Sequence, residues 1–300
     1  DTSRAPQLNG PQWVQGDALN RDDVLAAAQG ASVIVHAVNP PRYLNWPKVV
    51  LPMLANSIAA AELNGARIVL PGTLYNYGPD AFPLVREDSP QNPRTRKGKI
   101  RVAMERALEE ATERGVKSMI LRGGDFFGPH GHSSWFAQGM VQPNAPLKRV
   151  IYPGKRNVGH AFVYLPDFSE TIAQLLACES ELAMFERFHF RGQSFARGIE
   201  IAERTRLVAG APRAPILAFP WPVVVALSPF VRLFREMAEM RYLWKVDLQL
   251  DNSKLIDFLG AEPRTPIDVA LCTTLKALSV TSPKKSSSRT EEAFAPEHAR

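Results

Sequence analysis

Val69-Leu70-Pro71-Gly72-Thr73-Leu74-Tyr75-Asn76-Tyr77-Gly78-Pro79 is the stretch on which the interpretation of the chain depends. It contains the end of an apolar run, residues 66–70, that predicts a buried strand. Pro71-Gly72 is a turn signal and predicts that this strand ends there. A hydroxyl side chain, Thr73, and two tyrosines follow at once. Open α/β sheets bind ligands beyond the carboxyl ends of their strands, so the stretch predicts either a ligand crevice or a surface loop with packing tyrosines.

Apolar runs and helical runs alternate on both sides of this stretch. The further strands are predicted at residues 32–38, 116–121 and 187–190, with an extended stretch at Trp13 and Val14; the helices are predicted at residues 21–29, 49–64, 100–114 and 167–177. The run 32–38 is almost wholly apolar and predicts a strand buried on both faces. The alternation predicts an α/β fold, a Rossmann-like parallel sheet with helices on both faces.

The regular alternation stops in the last third of the chain. From residue 201 onward the pattern is helical and less regular, which predicts a smaller, mostly helical C-terminal substrate lobe. Residues 1–190 then form the Rossmann-like domain, with 130–160 contributing to the lobe, and residues 191–280 form the lobe itself. Residues 281–300 are rich in Ser, Lys and Glu and predict a disordered tail.

The composition is that of an ordinary globular protein. The chain has 300 residues, of which 45% are hydrophobic and 22% are charged. Its two cysteines, Cys178 and Cys272, match no metal or redox spacing and indicate a reducing compartment, which predicts a cytoplasmic protein. Residues 1–10 are polar, so no signal peptide is expected before the first strand.

The net charge of +6 is concentrated in a basic run at residues 94–101. Such a run is suited to phosphates of a nucleic acid, a cofactor or a substrate. Aromatic residues are not interleaved with it and no nucleic-acid motif accompanies it. The run therefore predicts a solvated helix start, and we expect no nucleic-acid partner.

Residues 214–231 contain no charged residue. A membrane span of this length is contradicted by four prolines, Pro215, Pro220, Pro222 and Pro229, which break a straight helix repeatedly. A buried or surface-attached helical lobe is predicted instead. Because arginines follow at once, peripheral membrane contact through residues 214–241 stays open.

Several motifs together resemble the extended short-chain dehydrogenase/reductase family, which includes the NAD-dependent epimerase/dehydratases. Each motif alone is weak, but their order and spacing agree with the family over about residues 10–278. The matching stretches are Gly16-Asp17, Val35-His36-Ala37-Val38, residues 71–78, residues 121–129, residues 154–158, residues 160–167, residues 251–255, Leu259-Gly260 and Thr265-Pro266. The resemblance implies an NAD(P)-binding domain beside a substrate lobe.

One departure concerns the pyrophosphate of the cofactor. The family begins with a strand, a G-x-G-x-x-G turn and a helix whose backbone N–H groups hold the pyrophosphate, and this sequence contains no such turn. Either the first strands are missing from an incomplete chain or the sheet has closed up. We expect an incomplete chain, because it starts abruptly at Asp1 and the rest of the pattern is undisturbed. Binding of the pyrophosphate is then severely weakened.

A second departure concerns the catalytic Tyr-x-x-x-Lys pair of the family. The alignment places Lys97 and Arg101 at these two positions, so the tyrosine is absent and the lysine has become arginine. Arginine still holds ribose or phosphate oxygens, but it does not give up a proton. Thr73 matches the family's Ser/Thr, which hydrogen-bonds the reacting oxygen. Tyr75 and Tyr77 lie close by, either as a relocated acid or, as the more common case, as packing or substrate-stacking residues.

The resemblance implies three sets of site residues. The catalytic set is Thr73, Tyr75 and Arg101. The set that binds NAD or NADP is Asp17 (against the adenine amino group), His36, Ala37, Val38, Thr73, Arg101, Gly123 and Gly124. The set that binds substrate is Tyr77, Lys97, Phe127, Arg156 and His160. No metal site is expected, because no acidic or cysteine partner completes a set with the two histidines at 130 and 132.

Two functions follow from the resemblance. The first is an NAD(P)-dependent oxidoreductase or epimerase-like enzyme acting on a small carbonyl, hydroxyl or nucleotide-sugar-like substrate. The second is a non-catalytic NAD(P)-binding sensor or scaffold of the NmrA-like type, which the missing tyrosine favours. A small-molecule substrate is the partner expected for the enzyme, and a homodimer stays open.

Overall fold

The elements of the fold follow the apolar pattern of the sequence in the computed structural model, which describes residues 10–40 and 45–282. In these residues the strands are β1 (Val33–Val35), β2 (Arg67–Gly72), β3 (Leu84–Val85), β4 (Lys117–Arg122), β5 (Asp125–Phe127), β6 (Val150–Tyr152), β7 (His160–Tyr164), β8 (Phe185–His189), β9 (Gln193–Phe195), β10 (Ile216–Ala218) and β11 (Gln249–Leu250). The helices are α1 (Arg21–Ala27), α2 (Trp46–Asn64), α3 (Arg96–Ala111), α4 (Leu165–Ala177), α5 (Glu200–Val208), α6 (Trp221–Leu227), α7 (Arg232–Met240), α8 (Ser253–Leu259) and α9 (Ile267–Ala277).

The main sheet has the order β1-β2-β4-β8, and all of its neighbours are parallel. Alternate side chains of β2 enter two different cores. Ile68 and Leu70 pack on one face with residues of α2 and α3. Val69 packs on the other face with residues of α4 and α8. Helices therefore cover both faces of a parallel sheet, and the predicted α/β fold class is confirmed.

The helix ends follow local side-chain chemistry. The side chain of Asn20 accepts a hydrogen bond from the backbone N–H of Asp22 and caps α1. Thr95 caps α3 in the same way through the N–H of Gly98. Helix α2 ends at Gly65, whose φ of 63° lies in the left-handed region that glycine adopts without strain. The N-terminus of α3 lies beside the loop that follows β2, where Gly98 closely approaches the backbone carbonyl of Tyr75.

Strand β1 differs from its prediction because it lies at the edge of the main sheet. It covers three residues, and Val35 and Val38 are 52% and 43% exposed, so the prediction of a strand buried on both faces is wrong. A run of apolar residues does not distinguish a central strand from an edge strand. Trp13 and Val14 belong to no strand in the described residues and are about half exposed.

Strand β2 also differs from its prediction. It continues through Pro71 and Gly72 instead of ending at this turn signal. Proline is tolerated here because the odd-numbered residues of β2 hydrogen-bond towards β1, and β1 pairs with β2 only as far as Val69, so no partner requires an N–H at position 71. The chain turns one residue later, at Thr73, where a short 3-10 helix at Leu74–Asn76 begins.

The C-terminal lobe has its own apolar core. Residues 136–152 pack in it with residues 199–280, and the core includes Trp221, Trp244 and Leu271. The lobe is joined to the sheet domain by the parallel pairing of β3 with β11. Three smaller sheets, β5-β7-β9, β6-β10 and β3-β11, lie outside the main sheet.

Two further expectations concern the C-terminal third. The charge-free stretch 214–231 is divided between β10 and α6, and none of the helices described is both long enough and apolar enough to cross a membrane. Thr281, which the sequence assigned to a disordered tail, donates its backbone N–H to Ala145. The rest of the predicted tail, residues 283–300, lies outside the described residues.

Candidate active site

A cavity of about 240 Å³, here called the main cavity, opens beyond the carboxyl ends of β1 and β2. It is lined by His36, Ala37, Val38, Asn39, Trp46, Pro71, Thr73, Tyr75, Arg101, Asp125, Phe126, Ser133, Ser134 and Trp135. Residues 36–38 follow β1, and Thr73 and Tyr75 follow β2, because parallel strands present their carboxyl ends at one edge of the sheet. The cavity therefore brings together six residues that the sequence assigned to the cofactor or to catalysis.

A smaller space of about 70 Å³, the inner cavity, lies beside the main cavity. It is lined by Thr73, Leu74, Tyr75, Gly123, Gly124, Asp125, Phe126, His160, Ala161, Leu243 and Leu248. Four residues line both spaces: Thr73, Tyr75, Asp125 and Phe126. The inner cavity reaches the C-terminal lobe through Leu243 and Leu248, so the two spaces together extend from the sheet edge to the lobe.

His36 is a buried base in the wall of the main cavity. Its Nδ1 lies 2.9 Å from the hydroxyl oxygen of Ser57 on α2. Burial first, and the nearby charge of Arg101 second, lower the pKa of His36 to about 4. At neutral pH the cavity wall therefore carries a neutral imidazole on one side and the guanidinium of Arg101 on the other.

Arg101 projects from α3 into the main cavity. Its guanidinium carbon lies 5.1 Å from the ring centroid of Trp46, the first residue of α2. An arginine over an indole face is held by cation–π attraction and by its planar stacking surface. Because arginine is protonated at neutral pH, Arg101 gives the main cavity a cationic side chain that is suited to an anion.

Thr73 is held in place by a buried arginine. Arg122, at the end of β4, donates from Nη1 to the carbonyl oxygen of Thr73 at 2.5 Å. Its Nη2 lies 2.6 Å from Glu105 on α3, and Glu105 also accepts a hydrogen bond from Asn76 at 2.8 Å. Arg122 and Glu105 are almost completely buried, so each charge depends on the other. The ion pair fixes the loop that carries the catalytic candidates.

His189 completes this buried network in a neutral form. Its Nδ1 lies 3.1 Å from the carbonyl oxygen of Val85, which only accepts, so Nδ1 carries the proton. The other nitrogen, Nε2, then accepts from Arg122 at 3.3 Å and from the hydroxyl of Tyr77 at 3.2 Å. Burial first, and the charge of Arg122 second, lower the pKa of His189 to about 3.

An open groove of about 350 Å³ meets the main cavity at Val38. Asp17 and Gly16 line it, together with residues of α1 and β1. Asp17 accepts the backbone N–H of Leu19 through Oδ1, which orients its carboxylate. Asp17 therefore lies outside the main cavity but on the groove that continues from it.

Four residues of the predicted substrate set lie away from both cavities. Tyr77 and Phe127 are completely buried, and the ring of Tyr77 packs against Arg122. Lys97 is 2% exposed and pairs with Glu236 and Glu239 on α7. Arg156 donates to the carbonyl oxygen of Ile216 and lines neither cavity. The contact of these four residues with substrate stays a prediction; His160 lines the inner cavity, and Lys97 lines a separate pocket of about 190 Å³ between α2, α3 and α7.

Sequence reasoning missed several residues of the site. Asp125 lies within the motif at residues 121–129, directly after Gly123 and Gly124, but the motif does not indicate that its carboxylate lines the site. Trp135 and its serine neighbours come from a loop after β5, and no sequence pattern connects that loop with the sheet edge. The pairing of Arg122 with Glu105 joins a strand to a helix and has no signal in sequence spacing.

The residues present are suited to the two ends of a nicotinamide dinucleotide but not to the pyrophosphate at its centre. The main cavity supplies a guanidinium, Arg101, and hydroxyls on Thr73 and Tyr75, which are donors suited to ribose and carboxamide oxygens. The connected groove supplies Asp17, an acceptor suited to the adenine amino group. The pyrophosphate has no G-x-G-x-x-G turn to hold it, because the sequence contains none.

No protein-family model and no curated protein matches the sequence. Solved structures do match the fold. L-threonine 3-dehydrogenase from Trypanosoma brucei is similar with a TM-score of 0.69 and 15% identity, over 93% of this chain and 86% of that chain. UDP-glucose 4-epimerase from Bifidobacterium longum, in complex with NAD+ and UDP, is similar with a TM-score of 0.66 and 14% identity, over 88% of this chain and 82% of that chain.

A third similar structure is a double mutant of DesIV, a dTDP-glucose 4,6-dehydratase from Streptomyces venezuelae, with NAD bound. Its TM-score is 0.63 at 17% identity, over 92% of this chain and 81% of that chain. The fold of this chain is thus that of the NAD-dependent epimerases, dehydratases and dehydrogenases. This likeness agrees with the fold that the sequence motifs predicted through their resemblance to the extended short-chain dehydrogenase/reductase family.

Proposed function

We propose that the protein is an NAD(P)-dependent oxidoreductase or epimerase-like enzyme that acts on a small carbonyl, hydroxyl or nucleotide-sugar-like substrate. One observation carries the proposal. The main cavity collects His36, Ala37, Val38, Thr73, Tyr75 and Arg101, which come from three separate segments, at the sheet edge where this fold places its ligands. The names of the similar proteins support the general kind of reaction.

The residues of the main cavity have distinct roles in this proposal. Arg101 binds ribose or phosphate oxygens and orients the ligand against the sheet edge. The hydroxyl of Thr73 donates a hydrogen bond to the reacting oxygen, and the ion pair of Arg122 with Glu105 keeps this donor in place. A bound nicotinamide ring would supply the acceptor or donor of the hydride. Tyr75 lines the same wall and orients the substrate.

A second function, a non-catalytic NAD(P)-binding sensor or scaffold, is favoured by the position of Lys97. The family's catalytic tyrosine falls at this position, and here the lysine ammonium is buried between two carboxylates of α7. In this arrangement Lys97 joins the sheet domain to the lobe and does not reach the main cavity. The sensor would bind the cofactor without turning over a substrate.

A titration of the protein with NADH and NADPH tests the common part of both functions. Trp46 lines the main cavity, so saturable quenching of its fluorescence is expected when the nicotinamide end binds. Arg101→Ala should weaken binding about tenfold, because one charge-assisted contact contributes about 1.5 kcal/mol. Trp135 also lines the main cavity, so Trp46→Phe combined with Trp135→Phe serves as the control for the signal: most of the quenching should disappear while a calorimetric titration still detects binding.

Three probe substrates separate the two functions. UDP-glucose, dTDP-glucose and L-threonine are the compounds that the names of the similar proteins suggest. Change in nicotinamide absorbance, or conversion of the sugar, supports the enzyme, and Thr73→Ala should then lower turnover. Cofactor binding without turnover of any probe favours the sensor, and no binding of either cofactor contradicts both. A cytoplasmic location is part of the proposal, in keeping with two cysteines that are both unpaired.

A further inference from the structure

A carboxylate–imidazole pair, Asp125 with His160, lies at the junction of the two cavities. Asp125 begins β5 and His160 begins β7, and these strands pair in parallel. His160 Nε2 lies 2.6 Å from Asp125 Oδ2. The side chain of Asp125 is 22% exposed and lines both cavities, whereas that of His160 is 6% exposed and lines the inner cavity. The carboxylate therefore faces the ligand space and the imidazole supports it from behind.

The imidazole of His160 is fixed by aromatic packing. It stacks on the indole of Trp244 with ring centroids 4.1 Å apart and an interplanar angle of 8°. The ring of Phe162 lies 4.8 Å away on β7. Gly198 leaves room for this arrangement, because a Cβ there would lie 2.9 Å from the Cβ of His160. An imidazole held this rigidly keeps its Nε2 directed at the carboxylate of Asp125.

We propose that Asp125 exchanges the proton of the substrate hydroxyl and that His160 is its positioning residue. This inference rests on the proposed enzymatic function. In the oxidative direction Asp125 takes the proton as the substrate O–H bond breaks; a bound NAD(P)+ would accept the hydride from the carbon as the C–O bond becomes C=O. In the reductive direction each transfer is reversed. The hydrogen bond of His160 Nε2 keeps the side chain of Asp125 in place during both oxidation and reduction.

Asp125 provides a carboxylate that serves as a general base, which the other residues of the site lack. Thr73 hydrogen-bonds the reacting oxygen, but an alcohol has too high a pKa to serve as the base. Lys97 occupies the position of the family's tyrosine and is held by Glu236 and Glu239 outside both cavities. Tyr75 shares the wall with Asp125 and is the competing proton donor. A comparison of Asp125→Asn with Tyr75→Phe decides between these two groups.

The test uses three readouts on Asp125→Asn, His160→Phe and Tyr75→Phe. The first is NADH binding, which Asp125→Asn should change by less than about twofold. The second is kcat and KM with whichever of UDP-glucose, dTDP-glucose or L-threonine is turned over. Asp125→Asn should lower kcat by about a hundredfold or more, in line with loss of a general base, and change KM little. Tyr75→Phe should lower kcat by less than about tenfold.

The third readout needs neither cofactor nor substrate. The hydrogen-bonded imidazole proton of His160 should give a downfield NMR signal that is lost in Asp125→Asn and in His160→Phe. His160→Phe keeps the stacking on Trp244, so a loss of kcat there with an unchanged thermal midpoint marks positioning of the carboxylate. Asp80→Asn and His132→Phe make the same chemical changes at exposed sites outside both cavities and should leave all three readouts unchanged.

The outcomes separate this inference from the proposed function. Wild-type kcat in Asp125→Asn, or a larger loss in Tyr75→Phe, overturns the role of Asp125 while the enzyme stands. Cofactor binding without turnover of any probe overturns the role of Asp125 together with the enzyme, and leaves the cofactor site. Absence of cofactor binding by the wild type contradicts the proposed function itself and removes the hydride acceptor that the proton transfer requires.

Discussion

His36 connects the candidate site with the stability of the fold. Its buried imidazole has a pKa of about 4, against 6.5 for the exposed group, because burial and the charge of Arg101 disfavour the protonated form. Between these two values the unfolded chain binds more protons than the folded chain. Stability is therefore complete above pH 6.5 and decreases as the pH falls towards 4. The same side chain that lines the main cavity thus makes the protein sensitive to acid.

We expect the free energy of unfolding to fall by about 2 kcal/mol between pH 7.5 and pH 5 through His36 alone. His36→Gln removes the titrating group and should flatten the pH dependence by about this amount in urea unfolding. His132→Gln, a change at an exposed histidine, should keep the wild-type dependence. An equally steep pH dependence in His36→Gln would show that His36 is already protonated in the folded protein or accessible to water.

The elements differ in how well the sequence predicts them. The central strands β2 and β4 have predictable positions because both of their faces are buried, which requires continuous apolar residues. Strand β1 has the same apolar pattern but lies at an edge, and this difference depends on its neighbours in space. The pairing of β3 with β11 joins segments more than 160 residues apart, from residue 84 to residue 249, and leaves no local pattern.

The residues of the candidate site also differ in how well the sequence predicts them. Side chains that directly follow a strand, such as Thr73 after β2 and His36 after β1, are predictable because the ends of parallel strands lie together. Tyr77 also follows β2, but the 3-10 turn directs its side chain into the core. This turn therefore decides that Tyr75, and not Tyr77, lines the cavities. The pairing of Asp125 with His160 depends on how β5 meets β7 and is visible only in the fold.

Helices α3 and α7 are joined by a buried ion pair. The ammonium of Lys97 lies 2.5 Å from Glu236 and 2.8 Å from Glu239. Burial raises the pKa of Glu239, but the hydrogen bond and charge of Lys97 outweigh this effect and the pKa is lowered overall. Lys97→Met should destabilise the protein by about 3 kcal/mol or more, because it leaves one buried and one half-buried carboxylate without this cation.

A double-mutant cycle measures this connection between the helices. Lys97→Met combined with Glu236→Leu should be more stable than Lys97→Met alone, since the uncompensated charge is reduced. The matched control is the surface pair Arg197–Glu203, where Arg197→Ala should cost less than about 1 kcal/mol. Urea unfolding gives both values. Additive effects of Lys97→Met and Glu236→Leu would mean that the two side chains do not interact in solution.

The surface of the whole molecule carries a concentrated apolar region on the C-terminal lobe. It consists of six exposed apolar side chains in and after α6: Val223, Val225, Leu227, Phe230, Val231 and Leu233. Phe230 is 86% exposed, and two exposed arginines, Arg232 and Arg235, follow it. Apolar side chains beside arginines are complementary to an anionic lipid surface. This composition is compatible with the peripheral membrane contact that the sequence leaves open for residues 214–241.

Sedimentation with vesicles measures this contact. Vesicles of phosphatidylserine and phosphatidylcholine should bind the protein, and vesicles of phosphatidylcholine alone should bind it much less, because each arginine near an anionic surface contributes about 1 kcal/mol. Phe230→Ser should reduce the affinity about tenfold or more, since insertion of one phenylalanine contributes about 1.5–3 kcal/mol. Leu63→Ser removes a side chain that is 73% exposed on α2 and should leave binding unchanged. Equal binding to both vesicle types, or an equal effect of Leu63→Ser, would show that α6 and α7 do not form a specific lipid-binding face.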